Sequence, residues 1–190
     1  MRFKIGTAAL SMLLLVASAS SARADVVLTP YVGTLFGGDV SGSKFHWGAS
    51  AAFMGGGIFG AELDFHHVPK FIEETATEPS IAQMGLSGNL IIGIPIRGTQ
   101  GGSIRPYVTA GAGLLRSMAD ESAFFDSIST NDFAVNFGGG IMTFFTDHFG
   151  LRGDIRYYRA LRDEDPDNDL NFDFGDFNFW KWSVGTAFRF

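Results

Sequence analysis

Six charged residues of this chain sit among apolar or small neighbours: Glu62, Asp64, Arg152, Asp154, Arg156 and Lys181. Three acids and three bases in otherwise uncharged stretches suit mutual ion pairing, because a charge taken out of water must be matched. The four histidines, His46, His66, His67 and His148, raise the question of nucleophilic or metal chemistry. No His-x-Ser couple occurs, and the sequence gives no sign of a Ser–His pair assembled in space. Histidines satisfied at a rim or in a loop are the plainer reading. His66 and His67 are strand neighbours that point to opposite faces, and they lack further convincing metal ligands. The acidic stretch 163–176 places Asp165, Asp167, Asp169, Asp173 and Asp176 at positions 1, 3, 5, 9 and 12 of a calcium-loop spacing. Leu170 stands where that loop needs glycine, Pro166 is at position 2, and no helices flank it. A solvated acidic loop fits better than a metal site.

Composition narrows the setting. The 190 residues are 46% hydrophobic and only 18% charged, against roughly 25% charged in an ordinary soluble domain. Such a chain is too apolar for disorder and carries too little charge to cover a soluble surface. The net charge of −6 leaves no basic footprint for nucleic acid. With no cysteine there is no disulfide, thiolate catalysis or cysteine metal site. No cofactor is called for, and the length suits one domain.

The N-terminus has the form of an export signal. Arg2 and Lys4 precede an apolar run, Ile5 to Val16, and small residues lead to Ala22-Arg23-Ala24. This predicts a signal peptide over residues 1–24, cleaved before Asp25. The apolar run is too short for a spanning helix, which needs roughly 20 residues. Residues 25–190, the barrel domain, would carry 11 basic and 20 acidic residues, a net charge of −9.

The positioning elements have a period of two. Phe45, Trp47, Ala49, Ala51 and Phe53 alternate with His46, Gly48, Ser50, Ala52 and Met54. Similar alternation recurs from Phe59, Met84, Tyr107, Phe133, Leu151 and Phe179, each predicting a strand with one apolar face. A further strand, about 27–36, has ambiguous parity. That makes eight, each long enough for the roughly 9–11 residues of a membrane crossing. Short connections (55–57, 146–148, and a slightly longer 97–103) alternate with long ones (37–44, 69–80, 117–132, 161–176). Short periplasmic turns and long extracellular loops predict an all-β, eight-stranded antiparallel up-and-down transmembrane β-barrel.

A soluble, lipocalin-like barrel has the same period with its apolar face inward. Charge deficit favours an outward apolar face. So do Trp47, Trp180 and Trp182, which occupy apolar faces near the long loops, where an aromatic girdle belongs. The six charges then point into the lumen, with Arg189 near the periplasmic opening. Phe124 and Phe125 lie in the third long loop, where capping or packing is expected.

The pattern Ser183-x-Gly185-x-x-Phe188-x-Phe190 resembles the C-terminal signal read by the outer-membrane barrel assembly machinery. Residues 136–158 (NFGGGIMTFFTDHFGLRGDIRYY) resemble the sixth and seventh strands of small outer membrane protein A-like and opacity-type barrels. Residues 105–113 (RPYVTAGAG) resemble their fifth. The resemblance implies a Gram-negative outer-membrane location and insertion by the assembly machinery. Contact with outer-membrane lipid and lipopolysaccharide also follows. Separately, the charge of the acidic loop raises the hypothesis that divalent ions bridge it to lipopolysaccharide phosphates. It implies a monomer with a structural or surface-interaction role and a filled lumen without a wide pore. The alternatives are a small-solute or ion channel and a lipid A-modifying enzyme, although the His-x-Ser of similar deacylase barrels is missing. The periplasmic peptidoglycan-binding domain of longer relatives has no counterpart in this sequence.

Overall fold

A computed structural model describes residues 24–72, 81–119, 129–161 and 177–190. Eight strands run in chain order: β1 Ala24–Gly37, β2 Val40–Gly55, β3 Phe59–Ile72, β4 Ile81–Gly93, β5 Ser103–Ala119, β6 Ser129–Phe144, β7 Phe149–Leu161 and β8 Asn178–Arg189. Each pairs antiparallel with the next, and β1 pairs with β8, so the sheet closes on itself. Closure leaves no open edge, which lipid requires because it offers no hydrogen bonds to a bare strand.

Two-residue periodicity sets the two surfaces. Leu28, Val32, Phe53, Leu63, Leu90, Val108, Phe137 and Ile155 project outward and are exposed, while the alternate positions are buried. The first strand, whose parity the sequence left open, turns Val27, Thr29, Tyr31 and Leu35 inward. Its pairing with β2, Tyr31 opposite Gly48 and Leu35 opposite Lys44, fixes that choice.

The connections differ from expectation at one end. The supposed long loop 37–44 is a tight hairpin: Gly37 pairs with Val40 across Gly38 and Asp39. Gly37 and Gly38 have φ of 68° and 59°, a left-handed backbone that glycine takes at little cost. Asp39 Oδ2 then accepts from Asn178 N and Nδ2, both at 2.8 Å, tying the hairpin to the start of β8. Polar residues Ser41, Ser43 and Lys44 had disguised this stretch as a loop. Strands β3 and β5 likewise run past the expected loop starts, to Ile72 and Ala119.

Inward glycines make room for large side chains. A Cβ on Gly140 would meet the Tyr107 hydroxyl at 2.7 Å and the Gly153 carbonyl. Gly140→Val should therefore displace Tyr107 and destabilise the barrel by about 1–3 kcal/mol. A urea titration followed by the heat-dependent gel shift checks this, and an unchanged midpoint would contradict it.

Candidate functional site: the barrel lumen

Inward parity brings the six charges to one level. Ala52 lies opposite Glu62 and Ser50 opposite Asp64 on β2 and β3. Asp154 faces Ser183, and Arg156 faces Lys181, on β7 and β8. Arg152, Asp154 and Arg156 are two residues apart, so they share one face of their strand. All six are 6% exposed or less.

The contacts form a connected network. Arg152 Nη1 donates to Glu62 Oε2 and to Ser50 Oγ at 3.1 Å. Its Nε donates to the Tyr107 hydroxyl at 2.7 Å, which in turn donates to Asp154 Oδ2. Arg156 Nη2 reaches Glu62 Oε1 at 2.7 Å, and its Nε reaches Asp154 Oδ1 at 2.7 Å. Lys181 Nζ donates to Asp64 Oδ1 at 2.6 Å, whose other oxygen accepts from the Tyr31 hydroxyl at 2.8 Å. Asn136 donates to Asn89 at 2.9 Å, and Asn89 to Glu62 at 3.3 Å. Rings assist: the Arg152 guanidinium lies 4.8 Å from the Tyr107 centroid, and Lys181 Nζ 5.0 Å from that of Tyr31.

Apolar clusters lie on both sides of this network. Toward the short turns are Val27, Met54, Ile91, Met142, Phe144 and Ala187. Toward the other end are Leu35, Val40, Val68, Leu115, Ala160 and Phe179, with Tyr158 stacked on Phe179 at 5.1 Å. His46 and His66 lie inside the lumen, buried against Tyr31 and Tyr158. His46 Nε2 meets the Trp182 carbonyl at 3.1 Å, and His148 Nδ1 meets the Arg189 carbonyl at 2.9 Å. Neither contact involves a serine. His67 faces outward against Trp47.

Two further buried cations complete the lumen. Arg105 Nη2 donates to Asp25 at 2.8 Å. Arg105 escaped the sequence reading because strands four to six looked almost free of charge on that face. Its spacing from Tyr107 and Thr109 would have marked it as inward. Arg189 sits at the short-turn opening as expected. It binds the carbonyls of Asp147 (2.7 Å), Gly101 (3.1 Å) and Thr146 (3.3 Å), fastening two turns to the last strand.

On the outside, Trp47, Trp180 and Trp182 are 46%, 36% and 46% exposed. Trp182 and Trp180 pair with Thr34 and Phe36, near the β1–β2 hairpin. Tyr157 packs on Trp180 at 5.2 Å. Phenylalanines Phe145, Phe149 and Phe188 gather at the opposite end. Ser183 points inward, Gly185 packs over Tyr31, and Phe188 and Phe190 face outward. Ala24 begins β1, whereas Ala22, the loop acids Asp165, Asp167, Asp169, Asp173 and Asp176, and Phe124 and Phe125 lie outside the described residues. Among the described residues no three His, Asp or Glu side chains are grouped to hold a metal.

The sequence model of the outer membrane protein β-barrel domain matches residues 7–190. The chain belongs to that family. It is thus an outer-membrane protein, and its outward apolar face is the lipid-contacting one. Among solved structures it is similar to Neisserial surface protein A, with a TM-score of 0.63 at 13% identity over 88% of this chain and 97% of that one. The N-terminal barrel domain of Pseudomonas aeruginosa OprF gives 0.59 at 16%, over 87% and 97%. Ail, the attachment invasion locus protein of Yersinia pestis, crystallised with the heparin analogue sucrose octasulfate, gives 0.52 at 16%, over 88% and 98%. At these identities the likeness is one of fold. No curated protein matches the chain.

Removing one member of a buried ion pair leaves the other charge unanswered, at a cost of about 3–5 kcal/mol. Arg152→Ala removes one of the two guanidinium partners of Glu62 and frees Tyr107, and should lower the unfolding free energy toward that amount. Urea titration in lipid vesicles measures it; a change within experimental error would show that the network does not hold the barrel.

Proposed function

We propose that this barrel is a sealed, non-enzymatic scaffold of the outer membrane, with a structural or surface-interaction role carried by its extracellular loops. One observation carries the reading: the lumen's ionic network lies between two buried apolar clusters. A polar plug alone admits water by rearranging, whereas apolar layers above and below it oppose wetting. Eight strands in any case enclose only enough space for side chains. In planar bilayers the protein should show no steady pore-like steps, and Lys181→Ala or Arg156→Ala should introduce leakage. Large, stable conductance in the native chain would overturn the reading. Lipid A mass spectra should be identical in cells with and without the protein; a lost or added acyl chain would instead point to an enzyme.

The same reading assigns Trp47, Trp180 and Trp182 to the outer aromatic girdle and Ser183, Gly185, Phe188 and Phe190 to recognition by the assembly machinery. Their outward exposure supports the girdle and the role of the two phenylalanines. On this proposal the protein contacts lipid and lipopolysaccharide and acts as a monomer without a cofactor. Residues 1–24 act as the cleaved export signal. The ion pair from Asp25 to Arg105 makes Asp25 part of the folded barrel, which suits cleavage immediately before it. The purified outer-membrane form should begin at Asp25 by mass; a species retaining residues 1–24 would contradict this.

A further inference from the structure

The seam where the chain closes on itself is interrupted once. Val26 and Phe190 exchange both backbone hydrogen bonds, at 3.1 and 2.9 Å. Antiparallel ladders repeat such exchanging pairs every second residue, so Leu28–Phe188 and Pro30–Thr186 occupy the next two positions. Proline has no N–H, and the Thr186 carbonyl gains no donor from it. The paired register lapses at Thr29 and Pro30 and resumes at Tyr31–Gly185.

On the lumenal side of this lapse is a cavity of about 10 Å3, whose walls include Thr29, Ser50, Asp64, Asp154, Arg156 and Ser183. That is about the size at which a single water molecule is first accommodated. Two buried polar groups of this wall lack a partner among the described residues: Thr29 Oγ1 and Arg156 Nη1. Both residues are 1% exposed. Arg156 spends its Nε and Nη2 on Asp154 and Glu62, which leaves Nη1 over. A buried donor left unmade costs about 1–3 kcal/mol, more when it is charged. The site therefore favours an occupant that accepts from one side and donates to the other.

We propose that this cavity binds one water molecule, accepting a hydrogen bond from Arg156 Nη1 and donating one to Thr29 Oγ1. Charge excludes the other small candidates. The acids Glu62, Asp64 and Asp154 already balance Arg152, Arg156 and Lys181, so the surroundings are neutral. An anion would face Asp64 and Asp154, and a cation would face Arg152 and Arg156. Size excludes anything larger. The hydroxyls of Ser50 and Ser183 allow the water the three or so bonds that buried waters make. This site does not depend on whether the barrel conducts.

Crystals of the full chain, at a resolution showing other ordered waters, test the site. A density peak should lie roughly 2.7–3.2 Å from both Thr29 Oγ1 and Arg156 Nη1. It should persist in Thr29→Ser and vanish in Thr29→Val, with the ion pairs of Arg156 unmoved. Bromide-soaked crystals should give no anomalous signal there. Failure to see the peak in the native chain, a bromide signal, or an unaltered peak in Thr29→Val would each overturn the proposal. If Thr29→Val does not fold, NMR transfer from water to the Thr29 amide in nanodiscs decides it: a cross-peak supports the site, and none refutes it.

Discussion

An eight-stranded barrel encloses an interior about as wide as the side chains that fill it, and the rest of this structure follows from that width. So narrow an interior leaves little room for water around an inward charge, and the six charges are answered by groups on other strands. Glu62 is answered by Arg152 and Arg156, 90 and 94 residues further along the chain. Lys181 is answered by Asp64, 117 residues back. Contacts at such separations form only when the sheet has closed. A slip of one residue would turn every inward charge toward lipid. The network thus rewards one register of one closed sheet, which apolar packing alone would do less sharply.

The same constraint explains why the barrel is layered along its axis. Ion pairs in low dielectric gain from the exclusion of water, and apolar clusters at both ends supply that exclusion. Tyr31, Tyr107 and Tyr158 stand at the boundaries, because a phenol presents an apolar ring to one layer and a hydroxyl to the next. Tyr107 shows the arrangement most fully. Its ring belongs to the apolar cluster near the short turns, while its hydroxyl links Arg152 to Asp154. The inward glycines are the counterpart of these large side chains. Gly48 lies under Tyr31, Gly140 under Tyr107 and Gly85 under His66, each giving up volume where a neighbour needs it.

Much of this was legible in the sequence because a strand writes its two faces as alternate letters. Strand number, apolar faces, lumenal charges and the tryptophan positions could all be read from that alternation and its breaks. What escaped had physical causes. The first strand mixes Thr29, Pro30 and Gly33 with valines and leucines, so parity could not be assigned until its pairing with β2 and β8 was known. The 37–44 stretch is rich in glycine and serine, which reads as a loop, yet backbone pairing to β1 holds its two sides together. Arg105 precedes a proline at a strand start and has no nearby acid in sequence. Its partner, Asp25, is 80 residues away. Pairings between distant strands are matters of closure, and no local pattern encodes them.

Closure also bears on where specificity can reside. Among the described residues the six inward charges are paired with one another, and the outward apolar face is committed to lipid. Neither surface can change much without loss, since one substitution inside leaves a charge unmatched and one outside puts a charge in hydrocarbon. The short turns are similarly committed, because Arg189 holds carbonyls of two of them while Arg105 holds the start of β1. The β1–β2 hairpin is tied to β8 through Asp39 and Asn178. A rigid wall that holds its connections at fixed places is the general basis on which scaffolds let loops vary. In this protein the rigidity of the wall comes from the inside, from charges paired across strands of a narrow lumen.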